Sequence, residues 1–421
     1  MRNHVIFFSG GKSSFTVAHL VKEKYPDDNI VLYFTDTKWE DEDLHRFIHE
    51  AAGKLKLPML YHALGLDPVQ LMFKQKAVYN SRIGNCSTIL KMGVAADYFK
   101  RNIEPPEVEW FNKQYLKVEL DPSASDFAEN TTLYFGIGWE EAHREAAIKK
   151  NWLPFKVEMP LIDEVIDNKD VLDLYNIRQP RLYDYGFTHN NCKGRCVKVG
   201  QGHFINLLQQ APELFKETMA YEHHMSKYVA TNHYLRKQKY YPESEQIDDD
   251  ALEIMLSDLD DAYRDYFNGE ADKPGIYVHP SISAAPFEVD KMVVDCYYVS
   301  VKEWRTNKEG KKYAVRKLNK RTTASNRVNR FIKSDKYRLI ETRHMQQKSY
   351  AYMKKTKDKI TRPYPLRNLY WDALAEGLDQ KPNNVIVQKQ HSVQLDLFDV
   401  GGCGCDFSQT DASACDITKG L

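Results

Sequence analysis

The amino-terminal part of this chain is predicted to be an α/β fold, a parallel sheet covered by helices, on three observations. Val5-Ile6-Phe7-Phe8 is a short apolar run that ends in a glycine turn. Ser14 to Lys24 follows with helical spacing, offering Phe15, Ala18, Leu20 and Val21 for burial. Ile30 to Phe34 is a second apolar run, and Asp41 to Leu55 a second helical stretch that opens on acidic residues suited to its N-terminal dipole. Strand, crossover helix and strand in that order require parallel pairing with helices on the faces of the sheet.

Further elements continue the pattern. Val69 to Lys76 and Ser87 to Arg101 have helical spacing, and Thr132 to Gly136 is strand-like. Asn190 to Gly202, rich in Gly and Cys, is expected as an ordered loop leading into a helix from His203 to Leu208. Composition shifts near Tyr240. From Pro242 to Asp272 the chain is acidic, with Leu252, Met255, Leu256 and Leu259 at helical spacing; beyond Pro274 it turns strand-like from Met292 to Val301, then basic and aromatic. The divisions expected are a nucleotide-binding domain at 1–240, an acidic helical segment at 241–275, a basic aromatic-rich α+β region at 276–381 and a Cys/Gly-containing tail at 382–421.

At 421 residues, and roughly 100–200 residues per domain, the chain has room for two or three domains and a sizeable core. With 42% hydrophobic and 28% charged residues it is neither disordered nor fibrous in composition. No run approaches the ~18 uninterrupted apolar residues of a membrane span, so a cytoplasmic protein is expected, with no membrane partner. Seven cysteines are too few and too irregular for a disulfide scaffold, and close-set pairs in a reducing compartment point to metal or redox chemistry.

Ser9-Gly10-Gly11-Lys12-Ser13-Ser14 lies between a predicted strand and helix, where parallel sheets bind ligands beyond the carboxyl ends of their strands. Adjacent glycines let backbone N–H groups approach an anion. Serine hydroxyls, Lys12 and the helix N-terminus add donors suited to a pyrophosphate group. A Walker A loop would place a further glycine where Ile6 stands, and the dinucleotide Gly-x-Gly-x-x-Gly pattern is absent.

With this loop, Phe34-Thr35-Asp36-Thr37, Asn85-Cys86-Ser87-Thr88-Ile89-Leu90-Lys91 and Gly136-Ile137-Gly138-Trp139-Glu140-Glu141 with Arg144, the first half of the chain resembles the PP-loop adenine-nucleotide enzymes. Within them it is similar to the phosphoadenosine phosphosulfate reductase family and its ATP-pyrophosphatase relatives. The resemblance implies a three-layer, HUP-like (Rossmann-like) domain that binds ATP or a related adenine nucleotide with Mg2+. It implies phosphate contacts from Ser9, Gly10, Gly11, Lys12, Ser13 and Ser14, with Asp36 and Thr37 near the nucleotide. Lys91, Gly136, Glu140 and Arg144 would complete the site. Lys12, Ser13, Asp36 and Cys86 are the candidate catalytic residues. The commonest form of the loop has Asp where Ser13 stands, so magnesium would be held differently here.

Cys192 and Cys196 flank three residues, and Cys403 and Cys405 flank one. Two close thiolate pairs can complete a tetrahedral zinc site or ligate an iron–sulfur cluster. The alternative is unligated cysteines in glycine-rich turns. Similar pairs occur in reductase-like members of the family, whereas the Glu-Cys-Gly-x-His segment through which sulfonucleotide reductases act is absent.

Between Lys302 and Arg362 stand 21 Lys and Arg against 5 Asp and Glu, a local excess of 16 positive charges within a chain whose formal net charge is zero. Trp304, Tyr313, Phe331, Tyr337, Tyr350 and Tyr352 are interleaved with them. Phosphate neutralisation with base stacking suits nucleic acid, either tRNA or DNA. Docking on the acidic 242–272 segment and plain solvation are the other readings of the same charge.

The expected activity is cleavage of ATP between its α and β phosphates, adenylating an acceptor in support of sulfur transfer or a related modification, with a sulfur-donor protein as a further partner. A sulfonucleotide reductase and a non-catalytic nucleotide- or nucleic-acid-binding module are the alternatives.

Overall fold

The structure is a computed structural model that describes residues 1–77, 79, 85–237, 248–275, 301–306, 310, 312–317, 366–375 and 377–380. They form two units, the first holding residues 1–68 and 85–199, the second 69–77 and 79 together with those from 200 onward.

The first unit is built on a six-stranded sheet flanked by helices. Its chain runs β1 (Asn3–Phe7), α1 (Lys12–Lys24), β2 (Asn29–Asp36), α2 (Glu42–Leu55) and β3 (Met59–Ala63). After α3 (Pro68–Gln75), most of which belongs to the second unit, it returns with α4 (Val94–Arg101), β4 (Glu107–Phe111), β5 (Thr131–Phe135), α5 (Glu145–Asn151) and β6 (Lys156–Glu158). Three short helices follow: α6 (Pro160–Asp163), α7 (Asn168–Leu174) and α8 (Arg181–Asp184). The strand order is β4-β3-β2-β1-β5-β6, parallel except for the edge strand β4, which runs antiparallel to β3. The sheet is therefore mixed rather than wholly parallel.

Alternation along the strands divides the core between the two faces. Ile6, Phe8, Leu32 and Phe34 pack with Phe15, Ala18 and Val21 of α1 and with Leu44, Phe47 and Ile48 of α2. Val5, Val31, Tyr33, Leu133 and Phe135 pack on the other face with Tyr98 and Phe99 of α4, Trp152 and Phe155. Both faces are covered, which is why the middles of the central strands are apolar and why ligands are confined to the strand ends.

Sequence spacing gave the helix over 87–101 as one element, but its first half, Ser87–Gly93, has π-helical hydrogen bonding before α4 begins. Asp41 caps α2 by accepting the Asp43 amide at 2.9 Å.

In the second unit α9 (Gln201–Gln210), α10 (Pro212–Lys237) and α11 (Asp249–Phe267) are followed by an antiparallel pair, β7 (Val301–Thr306) with β8 (Lys312–Lys317), and by α12 (Leu366–Ala375). The acidic helix α11 is capped by Asp248 and buries Met255, Leu256, Leu259, Tyr263 and Phe267. Most of the expected strand from Met292 to Val301 and most of the basic stretch lie outside the described residues. So does the tail with Cys403 and Cys405. Among the described residues no helix is long and apolar enough to cross a membrane.

Candidate nucleotide site

Beyond the carboxyl end of β1, a cavity of about 290 Å³ is lined by Ser9, Gly11, Ser13 and Ser14 of the phosphate loop, Lys91, Gly136 and Arg144, together with Tyr183, His189 and Asn190. Phe7, Met92, Phe135, Ile137 and Ile148 supply an apolar wall. The volume stands at the lower end of the range for small-molecule sites. Such a donor set facing an apolar wall fits a polyphosphate attached to a base.

The loop is shaped by close approaches. Gly10 has φ +75, and a Cβ there would stand 2.8 Å from the Leu44 side chain, so both backbone conformation and space call for glycine. A Cβ on Gly136 would meet the Ser14 nitrogen at 2.8 Å, so the end of β5 lies directly against the loop backbone. Gly11 is the N-cap of α1 and provides no side-chain cap. The first-turn amides are thus left to a ligand or a neighbour, as at helix N-termini that bind anions. Ser14 Oγ donates to the Gly11 carbonyl at 2.8 Å, and Asn190 Nδ2 donates to the Gly10 carbonyl at 3.2 Å, fixing the bend from both sides.

Lys91 enters the cavity from the π-helical segment, its ammonium 2.8 Å from Glu40 Oε1. Glu40 is fully enclosed, yet it stays ionised. Burial pushes its pKa up, but the Lys91 charge and hydrogen bond, the Cys192 amide at 2.6 Å and the Thr37 hydroxyl at 3.1 Å bring it below the usual carboxylate range. Arg144 pairs with Glu141, the carboxylate among the lining residues. His189 is pushed down to about 4, chiefly by burial, and so is neutral near pH 7.

Several expected site residues stand apart from the cavity wall. Asp36 is buried, with Tyr61 donating to it at 2.6 Å and the Lys38 amide at 2.9 Å. Thr37 is turned to Glu40. Lys12 lies with its ammonium 4.3 Å from the centre of the Tyr183 ring, Glu140 is exposed, and Cys86 is a buried thiol beside the π-helical segment. None of these five, nor Gly10, is among the lining residues. Cys192 and Cys196 are buried thiols at a turn where Cys192 and Lys193 both have positive φ. Among the described residues no group of three or more His, Cys, Asp or Glu side chains is placed to hold a metal ion.

Sequence reasoning did not single out Glu40, Tyr183 or Asn190. Glu40 stands just before the acidic start of α2, and the other two lie more than about 160 residues beyond the loop, in short segments without a readable period. The bulky, polar-tipped Tyr183 next to Arg181 and Asp184 carries no motif that would mark it.

Comparison with known families gives one match, over the first part of the chain. Residues 3–105 match the phosphoadenosine phosphosulfate reductase domain. The match takes in Ser9 to Ser14, Asp36, Cys86 and Lys91 and supports a place in the PP-loop superfamily, and proteins with this domain are generally enzymes that bind adenine nucleotides. It ends before Gly136, Arg144 and Asn190. Neither a curated protein nor a solved structure matches the chain.

Proposed function

We propose that the protein is a PP-loop enzyme that cleaves ATP between the α and β phosphates and adenylates an acceptor, in support of sulfur transfer or a related modification. The observation that carries this reading is the convergence of the uncapped first turn of α1, the loop serines, Lys91 and Arg144 on one cavity beside an apolar wall.

In that reading the acceptor oxygen attacks the α phosphorus and pyrophosphate leaves into the amide cradle. Fixed N–H donors and the Lys91 and Arg144 charges stabilise the negative charge that accumulates on the leaving group, the contribution that commonly dominates such catalysis. Glu40 and Glu141 hold those two cations in place. Apolar residues at the ends of β1 and β5 accept the base. Mg2+ would supply charge neutralisation on the phosphates, with Glu141 and the Ser13 hydroxyl among the hard oxygen donors on the cavity wall.

Sulfonucleotide reduction is the second reading, favoured by the name of the matching domain. It requires a thiol at the substrate, and no cysteine is among the lining residues. The proposed acceptor is a nucleic acid held by 302–362, and the proposed metal ligands are Cys192, Cys196, Cys403 and Cys405. Pyrophosphate release from ATP, with and without tRNA or DNA, tests the reading. Release that nucleic acid stimulates and that Lys12→Ala and Ser13→Ala abolish supports it, and equal release by all three proteins refutes it. Zinc and iron content of the full chain, compared with a Cys403→Ser/Cys405→Ser variant, tests the metal.

A further inference from the structure

Tyr183 of α8 stands at the phosphate loop without belonging to it. Its ring lies 4.3 Å from the Lys12 ammonium, a cation–π distance. The hydroxyl is so close to Gly11 that a Cβ there would stand 3.3 Å from it. Burial pushes the Tyr183 phenol up to about 12, and the backbone N–H of Lys12, in the first turn of α1, acts on it in the opposite direction. A phenol has one proton to give as well as lone pairs to accept with. Among the described residues no acceptor takes that proton, and Tyr183 lines the cavity.

We propose that Tyr183 is a phosphate-binding residue that extends the amide cradle, taking the Lys12 N–H on its oxygen and handing its own proton to a phosphate oxygen of the bound nucleotide. An amide donating to a hydroxyl polarises it, so the hydroxyl becomes a stronger donor than it would be alone. The Lys12 ammonium over the ring acts in the same direction by stabilising electron density on the phenol. Tyr183 thereby relays an inward-facing helix amide to a ligand atom that the amide does not reach itself. In bulk chemistry the ligand recognised is a di- or triphosphate. The base and the sugar are not involved.

This inference rests on the phosphate-site reading, and the test separates the two. Binding of inorganic pyrophosphate, ATP and adenosine to the full chain is measured by calorimetry for wild type and Tyr183→Phe, which keeps the ring and its contact with Lys12. The expected result is a dissociation constant about tenfold higher for pyrophosphate and for ATP, as for the loss of one hydrogen bond to a charged group, with adenosine unchanged and the melting midpoint retained. Unaltered pyrophosphate and ATP affinities in Tyr183→Phe would overturn the proposal while leaving the cavity a phosphate site. Tighter binding would overturn it too, by showing that the hydroxyl competes with the ligand for the Lys12 amide. Failure of the wild-type protein to bind either phosphate compound would remove the phosphate-site reading and the role of Tyr183 with it.

Discussion

The Lys91 ammonium stands 2.8 Å from a Glu40 carboxylate that solvent does not reach, and Lys91 itself faces the cavity. One pair therefore serves stability and ligand binding at once. Removing one partner of a buried pair leaves an uncompensated charge, whereas removing both often does little harm. Lys91→Ala is expected to lose about 3 kcal/mol or more in urea denaturation. Glu40→Leu/Lys91→Leu should recover part of that stability, the Cys192 amide and Thr37 hydroxyl losing their acceptor, but bind ATP no better than Lys91→Ala. A double variant that regained both would show that Lys91 has no part in binding.

Two glycines make opposite expectations. In Gly136→Ala the new methyl meets the backbone of Ser13 and Ser14, which cannot yield as a side chain could, so a loss of about 1–3 kcal/mol and weakened ATP binding are expected. Gly53, exposed within α2, has nothing within 4 Å of its Cβ position, and Gly53→Ala should stabilise the protein by about 0.5–1 kcal/mol with ATP affinity unchanged. Thermal melts and ATP titration of both variants check the pair of outcomes.

The elements that could be read from the sequence are those whose pattern is set by burial on a regular surface. The central strands β1, β2 and β5 each carry an apolar run, Val5 to Phe7, Ile30 to Phe34 and Leu133 to Phe135, because both faces are covered, and α2 is amphipathic with an acidic start. Strands β3, β4 and β6 escaped: β3 carries the buried polar His62, β4 is a half-exposed edge strand, and β6 has three residues. The 26-residue α10 was not apparent because Thr218, Glu222, Ser226 and Asn232 are buried among its apolar residues and blur the helical period. Of the site, the loop was legible since glycine and serine are needed locally for its shape. Asn190 and Tyr183 were not, since their roles arise only when the fold carries distant turns to Gly10 and Gly11.

Burial of histidine gives the acid limb of stability its sign. His62, on β3, is wholly buried, and that burial pushes it down from the ordinary 6.5 to about 4. Between those values the unfolded chain takes up a proton that the folded protein refuses, so stability falls as pH drops through the window and levels off below about 4. The slope from one such group is at most about 1.4 kcal/mol per pH unit. His62→Asn should show a shallower loss between pH 7 and pH 4.5 in urea midpoints, with the other lowered histidines, His4, His49 and His189, and lowered carboxylates such as Glu40 acting in the same sense. An unchanged acid limb would mean that His62 is protonated in the fold.

Hydrogen exchange at the backbone amides of Gly11 to Ser14, followed by mass spectrometry with and without ATP, addresses the phosphate cradle itself. Saturating ATP is expected to slow exchange in the peptide spanning Ser9 to Ser14, and adenosine at equal occupancy to leave it unchanged. ATP that bound with full affinity while this peptide exchanged at its ligand-free rate would place the nucleotide elsewhere and contradict the account.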